Sequence, residues 1–394
     1  MKSTAAHIDA PEAAQRLGIS RATLYAYVSR GLVRAVADTD DPRRSLYNAA
    51  DIAALADRKT RSRKPESVAN ATLDFGLPVL ASGITSIADG RLAYRGRDAT
   101  DVAATASLED AARLLWDCGA DDPFADPAPE IDPVWPELAG GLARLSVFER
   151  SAALLPLVRD ATQITWQRET RRLWPSGAAL VRAIAAAATG RLPSSEPVHR
   201  QLGAAWGIDA AGADTLRTAL VLLADHELNA STFAVRVVAS TGASLASALS
   251  AGLGALSGPL HGGQTSLVEA LFEEAERAGD AAALIDRRLW RGDRLPGFDH
   301  PLYPEGDPRA SALLARLPAD PLRADLIAAM DRLGKRPNVD FATVSMRRSL
   351  GLPQGSALAV FAVGRSVGWI AHALEQRATG KLIRPRARYD GRPE

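Results

Sequence analysis

Residues able to do chemistry gather in five short stretches set between apolar segments. Asp225-His226-Glu227-Leu228-Asn229-Ala230-Ser231-Thr232 opens a run of small residues, and Ser257-Gly258-Pro259-Leu260-His261-Gly262-Gly263-Gln264 closes it. Leu295-Pro296-Gly297-Phe298-Asp299-His300-Pro301-Leu302-Tyr303 leads to Asp307-Pro308-Arg309, and Arg336-Pro337-Asn338-Val339-Asp340-Phe341 precedes a helical pattern. Gly364-Arg365-Ser366-Val367-Gly368-Trp369-Ile370-Ala371-His372 is followed by Ile383-Arg384-Pro385-Arg386. A histidine between Pro and Gly-Gly has backbone freedom on both sides and is easily presented to a cleft. Each residue also has a plain structural role open to it. His226 could cap a helix C-terminus and Asp340 a helix N-terminus, Arg309 and Arg365 could be surface ion-pair partners, and Arg384 and Arg386 a basic tail.

The elements that must position these groups are mostly helical. At 394 residues the chain fits two or three domains, and with 47% hydrophobic residues, few aromatics and abundant Ala and Leu it reads as mainly α. The formal net charge of +1 excludes a protein that is basic overall. The single Cys118 excludes an internal disulfide framework and any multi-cysteine metal site. The N-terminus lacks the order of a signal peptide. Leu180 to Ala188 and Leu245 to Leu256 are too short or too rich in Gly and Ser to span a bilayer, so a soluble cytoplasmic protein is expected.

Residues 1–57 form a module of their own. Pro11 to Leu17 carries helix-start signals and ends at Gly18; Ser20 is placed to cap a second helix, Arg21 to Arg30, with Leu24 and Val28 inward. Asn48 is placed to cap a third short helix carrying Ile52 and Leu55. The stretch "LGISRATLYAYVSRGLV" resembles the winged helix-turn-helix modules of the MerR and excisionase type. Residues 1–64 hold twelve Lys or Arg against seven Asp or Glu. The resemblance implies DNA contact through Arg21, Thr23, Tyr25, Arg30, Arg43 and Arg44, with salt-dependent affinity; a packing or dimerisation module is the alternative. Residues 58–71 read as a basic linker, and a second domain, 72–394, follows.

In that domain, short apolar runs around Asp89-Gly90 signal a hairpin, and Ser107 to Cys118 starts with a capping box. Asp121 to Pro136 reads as loop. Helical patterns then cover Phe148 to Val158, Gly177 to Ala188, Asp214 to His226, Phe233 to Leu256, Thr265 to Ala278, Asp320 to Leu333 and Ser356 to Gln376.

Five motifs in order, "DHELNAST", "GPLHGG", "PGFDHPLYPEGDPRA", "PNVDF" and "GRSVGWIAHALEQ", ending with "RPR", resemble the citrate synthase family from about Leu77 to Arg388. The resemblance implies a large helical domain with a small one inserted at roughly 263–365, a homodimer, and condensation of an acyl-CoA, acetyl-CoA first among them, with oxaloacetate or a related 2-oxo acid. It implies Asp340 as the base, His261 as hydrogen-bond donor to the thioester oxygen, and His300 as polariser of the ketone. Removing a proton from a thioester methyl group needs such a base and such a charge acceptor. Arg309, Arg365 and Arg384, the last from the other subunit, match the carboxylate-binding arginines. His226 matches a further ligand, and Asn229 orders that helix start. Coenzyme A, bound as a thioester substrate and not as a resident cofactor, is expected near Leu295, Pro296 and Gly297, with Arg347 and Arg348 near its phosphates; no metal is expected.

Three positions depart from the family pattern. Leu223 stands where many relatives have His, Asp299 where Gly is common before His300, and Pro301 where Arg is common after it. An inward Asp299 would oppose a dianionic substrate, whereas an outward one would change nothing. Citrate and 2-methylcitrate formation differ by one or two methylenes in the acyl pocket, a distinction the sequence does not make. The competing functional expectations are a DNA-binding regulator whose large domain senses a metabolite, and an assembly protein.

Overall fold

The computed structural model describes residues 7–29, 32–38, 44–53, 55, 80–159, 168–387, 389 and 391. The chain divides into two compact units, Met1–Ala81 and Ser82–Glu394.

The small unit contains β1 (His7–Ile8), α1 (Ala10–Leu17), α2 (Arg21–Ser29), β2 (Ala35–Ala37) and β3 (Ser45–Asn48), its strands forming an antiparallel sheet in the order β1-β3-β2. Asp9 caps α1 by accepting from the Glu12 amide, and Gly18 ends it in the left-handed region at φ 58°. Ser20 Oγ accepts from the Thr23 amide at 3.2 Å and so opens α2. Asn48 caps the helical residues 49–53 through the amides of Ala50 and Asp51. Ala13, Leu17, Leu24, Val33, Tyr47 and Ile52 form the core of this unit. Arg21, Tyr25 and Arg44 are exposed and Thr23 half-buried; Arg30, Arg43 and the 58–71 segment lie outside the described residues.

The large unit opens with an antiparallel meander, β4 (Thr85–Ala88), β5 (Arg91–Tyr94) and β6 (Arg97–Asp98). Asp89 and Gly90 turn it with φ of 50° and 72°, the tight hairpin that Asp-Gly signals, and β6 adds a strand the sequence pattern did not mark. The rest of the unit is built of helices: α3 (Ala99–Thr105), α4 (Leu108–Trp116), α5 (Trp135–Gly141), α6 (Val147–Leu154), α7 (Trp174–Thr189), α8 (Val198–Trp206) and α9 (Ala210–Leu222). These are followed by α10 (Ala230–Ser240), α11 (Leu245–Leu256), α12 (Gln264–Ala278), α13 (Ala281–Arg291), α14 (Pro308–Leu314), α15 (Pro321–Asp331), α16 (Val339–Ser349) and α17 (Ser356–Thr379). The run from Phe233 to Leu256, expected as one helix, is two. Gly242 turns the chain at φ 83°, and Ser244 recaps it by accepting from the Ser247 amide.

Two apolar cores organise these helices. The larger is built from α3 to α11 and α17, and the smaller from α12, α13 and α15 with Phe298. Helix α16 serves both: Val339, Ala342 and Met346 pack into the larger core, while Phe341 and Val344 pack into the smaller. Helix α17 is long and apolar enough to cross a membrane, yet 94% of its apolar window is buried inside the protein. It lies backbone to backbone against the chain at 220–225, because a Cβ on Gly364 would stand 2.8 Å from the Leu220 carbonyl oxygen and one on Gly368 would run into Asp225 Oδ1.

Candidate active site

The first wall of the site is the corner between α9 and α10. Asp225 is fully buried and faces His372 Nε2 at 3.4 Å, and Glu227 turns the chain at φ 54°. Asn229 caps α10 by accepting from the Thr232 amide at 3.0 Å. This corner buries His226, whose Nε2 lies 2.9 Å from the Tyr303 hydroxyl and whose ring meets His300 edge-on at 5.1 Å. Burial, reinforced by Arg309 and Arg365, holds the His226 ring neutral, its pKa well below the ordinary value.

His261 sits on the turn between α11 and α12, which is closed by bonds from the His261 and Gly263 amides to the Gly258 carbonyl. Gly262 and Gly263 are required by close approach, since added Cβ atoms would stand 2.6 Å from Leu256 O and 2.9 Å from Gly258 O. His261 Nε2 lies 2.8 Å from Ser231 Oγ, and Trp369 Nε1 donates to the same oxygen at 3.1 Å. Ser231 has one hydrogen, which goes either to His261 or to Asn229 Oδ1 at 2.7 Å. Burial, with Arg365 second, lowers the His261 pKa to about 4, so its ring is neutral at pH 7.

The third wall runs from Gly297 to Arg309. His300 Nδ1 accepts from the Leu302 amide at 3.2 Å, which leaves Nε2 as the nitrogen that carries hydrogen in the neutral ring. Burial and then Arg309 lower its pKa to about 4. Tyr303 is buried beside both histidines, its pKa pushed up to about 12 by that burial. Asp307 caps α14, holds Arg309 through Nε at 2.9 Å and Nη2 at 2.8 Å, and accepts from the Val339 amide at 3.0 Å, tying the starts of α14 and α16 together. Arg309 is buried and lies over the Tyr303 ring at 5.3 Å; burial opposes its charge, but Asp307 wins and its pKa is raised. Asp299 is exposed and points to Lys335, away from His300.

Asp340 is in the first turn of α16, but the N-cap is Asn338, whose Oδ1 accepts from the amides of Asp340 and Phe341. Asp340 Oδ1 is buried without a hydrogen-bond partner among the described residues. Burial raises its pKa to about 7 against the pull of Arg309 and Arg365. Arg365 is buried too. Its Nε donates to the Leu223 carbonyl at 2.9 Å, its guanidinium lies over Phe361 at 5.0 Å, and its Nη2 has no partner among the described residues. Burial lowers its pKa to about 10, which keeps it cationic.

The site thus assembles His226, Asn229, His261, His300, Arg309, Asp340 and Arg365. Arg384 is not among them: it is exposed on the tail after α17, a tail anchored by the Ile383 amide bonding Ser240 Oγ. Leu295 is half-buried and Pro296 and Gly297 are buried, Gly297 at φ 85° against Val268 and Phe341. Arg347 is paired with Glu269 at 2.6 Å, and Arg348 with Glu276 while lying over Phe272. Ser231, Trp369, Tyr303 and Asp307 belong to the site although sequence reasoning assigned them no role. Asp307, two residues before Arg309 across a Pro at a helix start, carried the one signal that could have found it.

The arrangement offers a carboxylate with raised proton affinity, three neutral imidazoles and two buried guanidiniums. That set suits abstraction of a proton from carbon beside a bound anion. A family model, "Citrate synthase, C-terminal domain", matches residues 131–386. The chain is 33% identical over 350 residues to "Putative citrate synthase 2" of Mycobacterium tuberculosis, covering 80% of this chain and 92% of that one. It is 34% identical over 183 residues to the 2-methylcitrate synthase of Shewanella oneidensis, covering 44% and 49%. A citrate synthase from Thermoplasma acidophilum, solved as a ternary complex with carboxymethyl coenzyme A and oxaloacetate, shares the fold at TM-score 0.66 and 24% identity over 81% of this chain and 95% of that one. Geometry and comparison agree, and the chain belongs to the citrate synthase family.

Proposed function

We propose that the chain condenses an acyl-CoA, with acetyl-CoA as the first candidate, with oxaloacetate or a related 2-oxo acid, yielding citrate or a homologue and free CoA. The observation that carries this is Asp340, a carboxyl with a buried, unpartnered oxygen and a pKa raised to about 7, facing two buried arginines. Ionised, it takes a proton from the carbon next to the thioester carbonyl. The enolate oxygen then needs a donor. If Ser231 gives its hydrogen to His261 Nε2, the neutral His261 ring presents Nδ1–H to that oxygen. The enolate carbon bonds to the ketone carbon, and His300 Nε2–H meets the oxygen that gains charge. Hydrolysis of the new thioester breaks its C–S bond and releases the thiol.

Arg309 and Arg365 hold the carboxylates of the oxo acid, Arg365 through its unpartnered Nη2 and Arg309 as a cation preset by Asp307. His226 and Tyr303 bound the same pocket. In this reading Arg384, exposed on its own subunit, completes the site of a second copy in a homodimer, in the cytoplasm. Coenzyme A rests on the backbone at Leu295, Pro296 and Gly297, because Arg347 and Arg348 would have to leave Glu269 and Glu276 to reach a phosphate. The inserted small domain at 263–365 is supported by the second apolar core. Thiol release from acetyl-CoA or propionyl-CoA, dependent on oxaloacetate, is the expected result. A panel of acyl-CoAs and oxo acids giving none would favour the metabolite-sensing regulator.

A second reading concerns the small unit alone. Arg21 and Tyr25 are exposed on α2, in a unit with an excess of basic residues, and DNA contact through this helix of a helix-turn-helix module is the reading they favour.

A further inference from the structure

His300 stands on a loop and Asp340 in the first turn of α16, and the chain before each is joined outside the pocket. Asp299 adopts φ 59°, a left-handed conformation unfavourable to most residues with a Cβ and natural to glycine. Its carboxylate is fully engaged: Oδ2 accepts from Lys335 Nζ and Oδ1 from the Arg336 amide at 3.1 Å. Its backbone is engaged as well, the amide donating to the Arg336 carbonyl at 2.7 Å and the carbonyl accepting from Asn338 Nδ2 at 3.2 Å. Asn338 is the residue whose Oδ1 caps α16 at Asp340. Beside it Phe298 bridges Pro337, and the Asn338 amide donates to the Gly297 carbonyl.

We infer that Asp299 and Lys335 form a clasp that fixes the spacing between His300 and Asp340, and that both are positioning residues for the condensation. This rests on the function proposed above. His300 is the next residue after Asp299, and the bonds of Asp299 reach the first turn of α16 through Asn338, the cap at Asp340. The carboxylate at position 299 therefore bonds the loop of the ketone polariser to Lys335 and Arg336, just ahead of the base's helix, while the Asp299 carbonyl bonds the cap residue Asn338 itself. The ion pair is exposed, with side chains 46% and 38% accessible, so its contribution to global stability is small. Its effect is on geometry, where a misplacement of about 1 Å can cost about a hundredfold in rate.

The test uses the full chain and four variants: Asp299→Gly, Asp299→Asn, Lys335→Met and Lys335→Arg. Glycine is at ease at φ 59°, so Asp299→Gly removes the carboxylate without straining the backbone, and Asp299→Asn controls for the freedom glycine adds. Asparagine tolerates the same conformation and keeps an oxygen for the Arg336 amide. Asp299→Gly should lower kcat about tenfold with KM for the oxo acid within about twofold. Asp299→Asn and Lys335→Met should lose less and about equally, and Lys335→Arg should stay near wild type. Hydrogen exchange should rise together in segments 296–302 and 335–341 of Asp299→Gly, at unchanged Tm. Unchanged kcat in Asp299→Gly, or losses that follow Tm and not the number of bonds removed, overturns the inference. If wild type turns over no substrate, the proposed function fails on its own account. Exchange then decides the clasp, and unchanged protection in both segments refutes it.

Discussion

Replacing Asp340 by Asn should abolish turnover and at the same time stabilise the protein, increasingly so as pH rises. The Asp340 carboxyl has its pKa raised to about 7 by burial, from an ordinary value of 3.8. Below 3.8 the folded and unfolded forms are both protonated and the site costs nothing. Between 3.8 and 7 the unfolded carboxyl ionises while the folded one keeps its proton, so stability falls as pH rises. Above 7 the cost is complete and amounts to about 4 kcal/mol. Asparagine has nearly the same shape and no charge to bury, so the Asp340→Asn protein does not bear that cost. Its margin over wild type should grow by about 2 kcal/mol between pH 5.5 and 8.5, and reach a Tm gain of about 5 °C at the alkaline end. Thermal unfolding of both proteins across that range, with thiol release in parallel, measures it. A margin that is constant or shrinks with pH, or an Asp340→Asn variant that still releases thiol, would refute the assignment of Asp340 as a base strained by burial.

Two further outcomes are expected. Ser231→Ala removes the hydroxyl that orients His261 while leaving both arginines untouched, so kcat should fall about tenfold or more and KM for the oxo acid should hold within about twofold, as steady-state kinetics will read. For the small unit, binding to a promoter fragment should weaken steeply between about 50 and 200 mM salt, as expected when about six phosphates are contacted; salt-independent or absent mobility shifts would count against DNA contact.

Much of the fold was legible where local chemistry decides it. The capping box at Ser107 and Asp110, the Asp89-Gly90 turn and the Gly18 stop all stand where the residue types put them. The failure at Phe233 to Leu256 came from apolar periodicity that continues through Gly242 and Ser244, where the backbone turn outweighs the pattern. The plain role open to Asp340, an N-cap, is filled by Asn338 two residues earlier. Arg309 and Arg365 are not at the surface. What stayed hidden were contacts between distant stretches. Ser231 meets His261 across 30 positions and Tyr303 meets His226 across 77, and no local periodicity carries such pairs. The outward direction of Asp299 was one of two outcomes left open. Its consequence, a bond to the loop ahead of Asp340, needed the coordinates of Lys335 and Arg336.

The two bare positions on α17 bear on the thermodynamics of anion capture. Arg365 follows Gly364 and precedes Gly368, so the depth of its guanidinium is set by main chain pressed on main chain, with few rotamer choices left. An arginine on an open helix face surrenders side-chain freedom when it grips a carboxylate, whereas this one has already lost that freedom on folding. In the proposed function, the entropic penalty of binding the oxo acid is thereby shifted into the folding of the protein. A methyl group at either glycine would push α17 off the 220–225 chain, and in the proposed function it would loosen the hold of Arg365 on the substrate together with the corner that buries His226.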